Sequence, residues 1–259
     1  MFCPVLVFLT RYWYNNSTTG VSPTGGIIIN TVSTAKTIWD GLDWSVLYNI
    51  LIAVIPALLC ITIHELCHGF VAYKLGDNTA KDLGRLTLNP IKHIDIFGLV
   101  MLAIFKFGWA KPVPINMNNF KNPKAGMAIT ALAGPVSNLL LAAVTLLIYG
   151  FLYSALGAAG KVGGFLLDTL FYIAYISCAL AVLNIIPIPP LDGSKVLFSF
   201  LPNHIYNNLM KYEFFGMILL IALIWSEKFS PFLSNMTAGL YNFLFNIAQW
   251  AHNLTLVIS

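Results

Sequence analysis

The sequence HELCH at residues 64–68 places two imidazoles and a carboxylate within a strongly apolar stretch of the chain. His64 and His68 are four residues apart, so on an α-helix their rings lie on one face and can reach a single metal ion. Glu65 lies about 100° around such a helix from His64, where its carboxylate can reach a water on the metal without binding the metal. The alternative is that both histidines bond backbone carbonyls or lie among lipid headgroups.

A third metal ligand must come from elsewhere, because a catalytic zinc ion usually has three protein ligands and one open position. The acidic residues near apolar segments are Asp168, Asp192, Glu213 and Glu227. Asp192 follows three prolines that stiffen the backbone, and it precedes Gly193, which permits a tight turn. An ordinary turn after a helix would have the same sequence, so the choice depends on where the helices place Asp192.

The composition is that of a membrane domain. Hydrophobic residues make up 58% of the chain and charged residues 9%, whereas a soluble domain carries about 25% charged residues. The net charge of +4 is small, and no basic cluster alternates with aromatic residues. We therefore expect this protein to contact a lipid bilayer and no nucleic acid.

Three strong apolar segments are long enough for transmembrane helices, which need about 20 residues. They lie at 44–63, with the helix continuing to about Leu75, at 126–156 and at 165–186. We predict an all-α polytopic membrane protein with a three-helix transmembrane catalytic core.

The residues after the core are expected to form one or two C-terminal helices. The segment 213–225 is apolar but short, and 231–258 has mixed polarity and could span the membrane or lie on its surface. The predicted division of the chain is a loosely ordered lead-in at 1–43, an intramembrane core at 44–195 and a C-terminal helical region at 196–259.

The segment between the first two spans, residues 76–125, is rich in positive charge. Its seven basic residues are Lys81, Arg85, Lys92, Lys106, Lys111, Lys121 and Lys124. The segment 157–164, between the second and third spans, contains one basic residue, Lys161. The positive-inside rule therefore places the basic loop in the cytoplasm of a multi-pass cell-membrane protein.

Part of this basic loop is itself apolar. Residues 97–109, FGLVMLAIFKFGW, are too short for a span and include Lys106. We predict a small β-hairpin or re-entrant element between helices 1 and 2. An exposed strand edge in the loop at 83–118 would hold a substrate extended by strand addition.

The order of the spans decides between the candidate carboxylates. The first helix reaches the cytoplasmic side near His68, the second span leaves that side and the third returns to it. Residues just after Ile186 therefore lie at the same membrane face as the two histidines, and Asp192 is among them. Asp168 begins the third span and so lies at the opposite face.

A metal held by His64, His68 and Asp192 would suit peptide-bond hydrolysis, with Glu65 taking a proton from water and passing it to the leaving amine. Asn138 and Asn184, on the second and third spans, could stabilise a developing oxyanion. The alternative for both amides is a hydrogen bond between helices. Cys67 points away from His68, and we interpret it as a small core residue.

These motifs resemble the site-2 protease family of intramembrane zinc metallopeptidases, in its compact bacterial or archaeal form. The residues that carry the resemblance are HELCH at 64–68, GRLTLNPIKHID at 84–95, GWAKPVPIN at 108–116, AGPVSN at 133–138, and the segment 184–193 that contains Asp192. Together they span residues 64 to about 195, half of the chain.

The resemblance implies one zinc ion per chain, with His64, His68 and Asp192 as ligands and Glu65 as the catalytic acid–base. It also implies a transmembrane protein substrate, usually cut first by another protease, and an active site toward the cytoplasmic face. Residues 157–164 leave no room for a PDZ-type insert, and no CBS-like tail follows the core.

Other functions would use the same ligands: a non-catalytic zinc-binding membrane protein, a metal transporter, or a protein that only binds membrane segments. A metal transporter needs a polar path across the bilayer, and the outer halves of the second and third spans offer little beyond Asp168 and hydroxyl groups. A protein that only binds membrane segments would not need Glu65. An intact Glu65 therefore favours the hydrolase.

Overall fold

The computed structural model describes residues 44–98, 110–226 and 229–258, and these residues are almost entirely helical. The helices are α1 (Trp44–Lys74), α2 (Thr79–Asp82), α3 (Pro123–Ala158), α4 (Gly160–Ile185), α5 (Asp192–Ser199), α6 (Asn203–Lys211), α7 (Glu213–Trp225) and α8 (Phe229–Ile258), with short 3-10 turns at Pro90–His93 and Met117–Asn119.

Three segments are long and apolar enough to cross a membrane: Leu51–Lys74 of α1, all of α3 and all of α4. This confirms the predicted three-helix membrane core. The third span begins at Gly160, five residues before the predicted start. Only Ala159 separates α3 from α4, so these two helices form a tight hairpin with no inserted domain.

The central helix is α4. Every residue from Ile173 to Asn184 is buried, which is expected of a helix that is apolar on all sides and covered by its neighbours. Its contact with α1 includes one polar pair, since Cys60 Sγ lies 3.2 Å from Ser177 Oγ. The helix that carries His64 and His68 is thus packed against a continuously buried stretch of α4.

The predicted β-hairpin between helices 1 and 2 is not supported. The described residues of this loop contain a single antiparallel bridge, between Ile94 and Ala110, and no strand. Residues 96–98 are helical, and the remaining apolar residues, 99–109, lie outside the described residues.

The C-terminal region has more helices than predicted. The range 196–259 contains α6, α7 and α8 within its described residues, besides the second half of α5, where one or two helices were expected. Pro202 and the turn at Ser226 divide this region into short pieces before the long helix α8.

A buried carboxylate ties the end of α1 to the loop that leads into α3. Asp77 accepts hydrogen bonds from the backbone N–H and hydroxyl of Thr79, the backbone N–H of Asn116 (2.7 Å) and the amide of Asn119 (2.7 Å). Burial opposes ionisation, but these donors hold the pKa of Asp77 below its ordinary value of 3.8.

We expect Asp77→Asn to destabilise the protein by about 1–3 kcal/mol, because the new NH₂ group would face donors instead of accepting from them. Thermal unfolding in detergent would measure the loss, with the exposed Asp82→Asn as the matched control. Because the folded pKa of Asp77 is lowered, the difference should persist down to about pH 4 and vanish only in more acidic solution. An unfolding temperature equal to that of the control variant would contradict this role.

Candidate metal centre

Three buried ligand atoms from two distant parts of the chain meet at one point. His64 Nε2 lies 3.0 Å from His68 Nε2, and Asp192 Oδ2 lies 3.2 Å from the first and 3.1 Å from the second. The exposed fraction of each side chain is at most 2%. Among the described residues, His64, His68 and Asp192 are the His, Cys, Asp and Glu side chains that are grouped closely enough to hold a metal ion.

The spacing of these atoms fits a divalent metal. Three ligands about 2.1 Å from a tetrahedral zinc ion stand about 3.4 Å from one another, close to the observed triangle. Neither oxygen of Asp192 has a hydrogen-bond partner among the described residues, although both are buried. A buried carboxylate facing two imidazole nitrogens needs a cation, and two imidazoles with one carboxylate leave a fourth position open.

The ring of His68 is oriented by the backbone of α3. Its Nδ1 lies 2.7 Å from the carbonyl oxygen of Thr130, so Nδ1 carries the proton and donates it to that oxygen. The other nitrogen, Nε2, is then unprotonated and has a lone pair for the metal.

Asn138 holds His64 in the corresponding way. The amide nitrogen of Asn138 lies 3.0 Å from His64 Nδ1. In this orientation the buried Oδ1 of Asn138 has no hydrogen-bond partner in the described part of the chain. Turning the amide by 180° lets Oδ1 accept the proton on His64 Nδ1. That orientation pairs the buried oxygen and leaves His64 Nε2 free for the metal.

A glycine on α3 makes room for both rings. A Cβ atom on Gly134 would overlap the rings of His64 and His68. The absence of a side chain therefore lets α3 pass directly over the two ligands, which brings Thr130 and Asn138, one turn before and one turn after Gly134, within hydrogen-bond distance.

Asp192 is delivered by the turn between α4 and α5. It is the first residue of α5, where the positive end of the helix dipole favours a carboxylate. The turn is so tight that a Cβ on Gly193 would overlap the backbone of Ile185.

Glu65 lies beside the ligands and is also buried. Its Oε2 accepts a hydrogen bond from the backbone N–H of Val113, at 2.9 Å. The segment around Val113 is in turn held by Arg85, whose Nη2 donates to the carbonyls of Lys111 (2.8 Å) and Pro112 (3.1 Å). The basic loop is thus folded back over the acid–base candidate.

In this arrangement, residues 111–114 have few free backbone N–H groups with which a substrate strand could pair. Lys111 N–H donates to His93 O, Val113 N–H donates to Glu65, and Pro112 and Pro114 have no N–H to offer. The predicted strand addition therefore finds no free donor in this stretch, which instead positions Glu65.

The other predicted candidates in the described residues form no hydrogen bond with His64, His68 or Asp192. Asn184 donates to Leu180 O within its own helix, at 3.0 Å. Asp168 accepts a hydrogen bond from Tyr48 at the opposite end of α1. Glu213 begins α7, and Glu227 lies outside the described residues.

Sequence reasoning missed Thr130, Gly134, Arg85 and Val113 as parts of this site. Gly134 lies in the AGPVSN motif, but only its contact with both rings reveals its role. Thr130 and Val113 act through backbone atoms, which leave no signal in the residue types. Arg85 lies in the motif at 84–95 and among the basic loop residues, but neither feature predicts that it holds the segment around Val113.

Comparisons with known proteins agree with this geometry. Residues 150–224 match the model of peptidase family M50. The chain is 39% identical over 174 residues to "Putative zinc metalloprotease YwhC" of Bacillus subtilis, covering 66% of this chain and 78% of that protein. It is 28% identical over 201 residues to "Putative zinc metalloprotease Rip2" of Mycobacterium tuberculosis, covering 76% and 74%. No solved structure matches at a significant level.

The chain belongs to peptidase family M50, the site-2 protease family. It is a zinc metalloprotease, and its three apolar helices make it a membrane protein.

We expect Gly134→Ala to lower zinc content and proteolysis at least tenfold, because the new methyl group would push both ligand rings out of place. Zinc per protein, measured by plasma mass spectrometry, tests this directly. The matched control is Gly157→Ala on the same helix, where an added Cβ would meet nothing within 4 Å. Full zinc occupancy in Gly134→Ala would show that the rings do not depend on this close approach.

We expect Arg85→Met to keep its zinc but to lose about tenfold in proteolysis, because the segment that donates to Glu65 would no longer be held. Lys92→Met, which removes an exposed charge from the same loop, should keep both properties. Zinc content and initial rates on one membrane substrate would be measured side by side. Unchanged proteolysis in Arg85→Met would exclude the positioning role.

Proposed function

We propose that this chain is an intramembrane zinc endopeptidase in which His64, His68 and Asp192 hold the metal and Glu65 is the general base and acid. The triangle of three buried ligand atoms within 3.2 Å of one another, with Glu65 beside it, is the observation that supports this most strongly. When bound, zinc supplies Lewis-acid activation of water and of a peptide carbonyl.

The residues of the chain do the rest of the chemistry. Glu65 follows His64 in the sequence and is not one of the three ligands, so it is available to take a proton from the attacking water and return it to the leaving amine. Val113 N–H holds one carboxylate oxygen and leaves the other for this transfer. Burial keeps bulk water away from the proton while it is transferred.

Asn138 is proposed to orient His64, and an oxyanion role for Asn138 or Asn184 stays a prediction. The contact of Asn138 with a ligand ring supports orientation, because a partner on the outer nitrogen fixes which nitrogen faces the metal. Asn184 is buried within the last turn of α4, and one of its amide hydrogens is already donated within the helix.

The family implies that the substrate is a membrane protein. We propose that the cut falls within a transmembrane segment, after a first cut by another protease. The depth of the site supports this, since the ligands lie on membrane-spanning parts of α1 and on the turn after α4. The basic residues of the loop at 76–125 support a site toward the cytoplasmic face of the cell membrane.

Glu65→Gln tests the mechanism because it keeps the shape and removes the base. We expect normal zinc content and a loss of cleavage of at least about 100-fold, measured on a panel of single-span membrane proteins in detergent or vesicles. Glu213→Gln, which removes another carboxylate away from the centre, is the matched control. A transporter or a non-catalytic binder predicts equal behaviour of wild type and Glu65→Gln, and that outcome would reject the proposal.

A further inference from the structure

The last helix, α8, carries a continuous polar stripe on its outer face. The stripe is made of five amides and a glycine, all exposed: Asn235, Gly239, Asn242, Asn246, Gln249 and Asn253. The intervals alternate between four and three residues, which keeps the stripe on one side of a helix. No charged residue interrupts it.

The opposite face of α8 packs along the membrane-spanning helices. The ring of Tyr241 lies 5.4 Å from that of Phe171 on α4. Gly150 of α3 approaches so closely that a Cβ there would overlap the backbone of Ala248. The later part of α8 thus follows α3 toward its C-terminal end.

This packing along α3 and α4 would carry the stripe through the depth of the bilayer. Asn235 and Asn253 are about 27 Å apart along the helix, close to the ~30 Å thickness of the hydrocarbon core. The amides explain why α8 is not among the helices that are apolar enough to be recognised as spans, although it has 30 residues.

Amides in lipid need hydrogen-bond partners, because hydrocarbon supplies none. Asn246 donates to the carbonyl of Phe243 in its own helix. For the side chains of Asn235, Asn242, Gln249 and Asn253, the described residues provide no hydrogen bond. A row of such groups on a lipid-facing surface indicates that another helix covers it.

Large apolar residues flank the stripe at intervals of seven. All four of these residues are exposed: Met236, Phe243, Trp250 and Val257. The first three directly follow a stripe residue in the sequence, and the fourth lies one helical turn after Asn253. The 3–4 spacing of the polar residues and the sevenfold spacing of the apolar row are those of a helix that pairs with another in a left-handed crossing.

We propose that α8 pairs with α8 of a second copy of this chain, so that the protease is a dimer in the membrane. Each amide is both a donor and an acceptor, so the stripe is complementary to itself about a two-fold axis. The lack of charge avoids repulsion between the copies. A substrate segment bound to the stripe would be separated from the metal centre by α8 itself, because the stripe lies opposite the face that covers α3 and α4.

Cysteine cross-linking of the full-length protein in native membranes tests the pairing. We expect Asn242→Cys, Asn246→Cys and Gln249→Cys to form disulfide-linked dimers on mild oxidation. Ile247→Cys lies on the side of the helix away from the stripe, and this variant should form no more disulfide-linked dimer than the parent chain. Equal cross-linking at all four positions, or cross-links only to a different protein, would overturn the proposal.

A second measurement removes the amides instead. In the variant Asn242→Leu, Asn246→Leu, Gln249→Leu the helix stays apolar enough for the membrane, and we expect dimerisation in vesicles to weaken at least tenfold. Energy transfer between labelled copies, over a range of protein-to-lipid ratios, gives the dimer fraction. Unchanged zinc content would show that the variant is folded. A wild type that stays monomeric across this range, or a variant that dimerises equally well, would overturn the pairing.

Discussion

The close approach of α3 to α1 at Gly134 is the contact on which the centre depends. Two imidazole rings occupy the space that a side chain at this position would fill. Because the rings are buried, each of their outer nitrogens needs a hydrogen-bond partner, and α3 supplies both, through the carbonyl of Thr130 and the amide of Asn138. The inner nitrogens are then left facing Asp192, as a metal site requires.

Two segments outside the spans complete this geometry from the same side of the membrane. The proline-rich turn after α4 places Asp192 against both rings. The basic loop folds back and holds Glu65 through Val113, while Asp77 fixes the end of that loop beside α1. The proposed ligands and the proposed acid–base group are therefore positioned by separate elements, so a variant of the loop can leave the metal site intact.

Helix α8, at the periphery of the molecule, has two faces with different contacts. α8 covers α3 and α4 with one face and carries amides on the other, so its membrane position rests on packing more than on hydropathy. Pairing through α8 would leave the exposed face of α1, with Leu51, Val54 and Ile55, open to lipid and to incoming segments. The interaction surface and the metal centre thus lie on different sides of the protein.

The sequence by itself determined the three spans, the helical face shared by His64 and His68, and the placement of Asp192 at the same end of the helical core as these histidines. Those features follow from helical periodicity, the length of the apolar spans and the number of spans between the histidines and Asp192. The side-chain types alone specify all three. The β-hairpin predicted in the basic loop is not supported in the described residues, and the C-terminal region has more helices than predicted. Only the tertiary structure decided which groups orient the rings and hold Glu65, because the groups on Thr130 and Val113 are backbone atoms, and Asn138 reaches His64 only through the way α3 packs. Backbone N–H and C=O groups occur at almost every residue, so their partners depend on how the helices pack and not on the residue types.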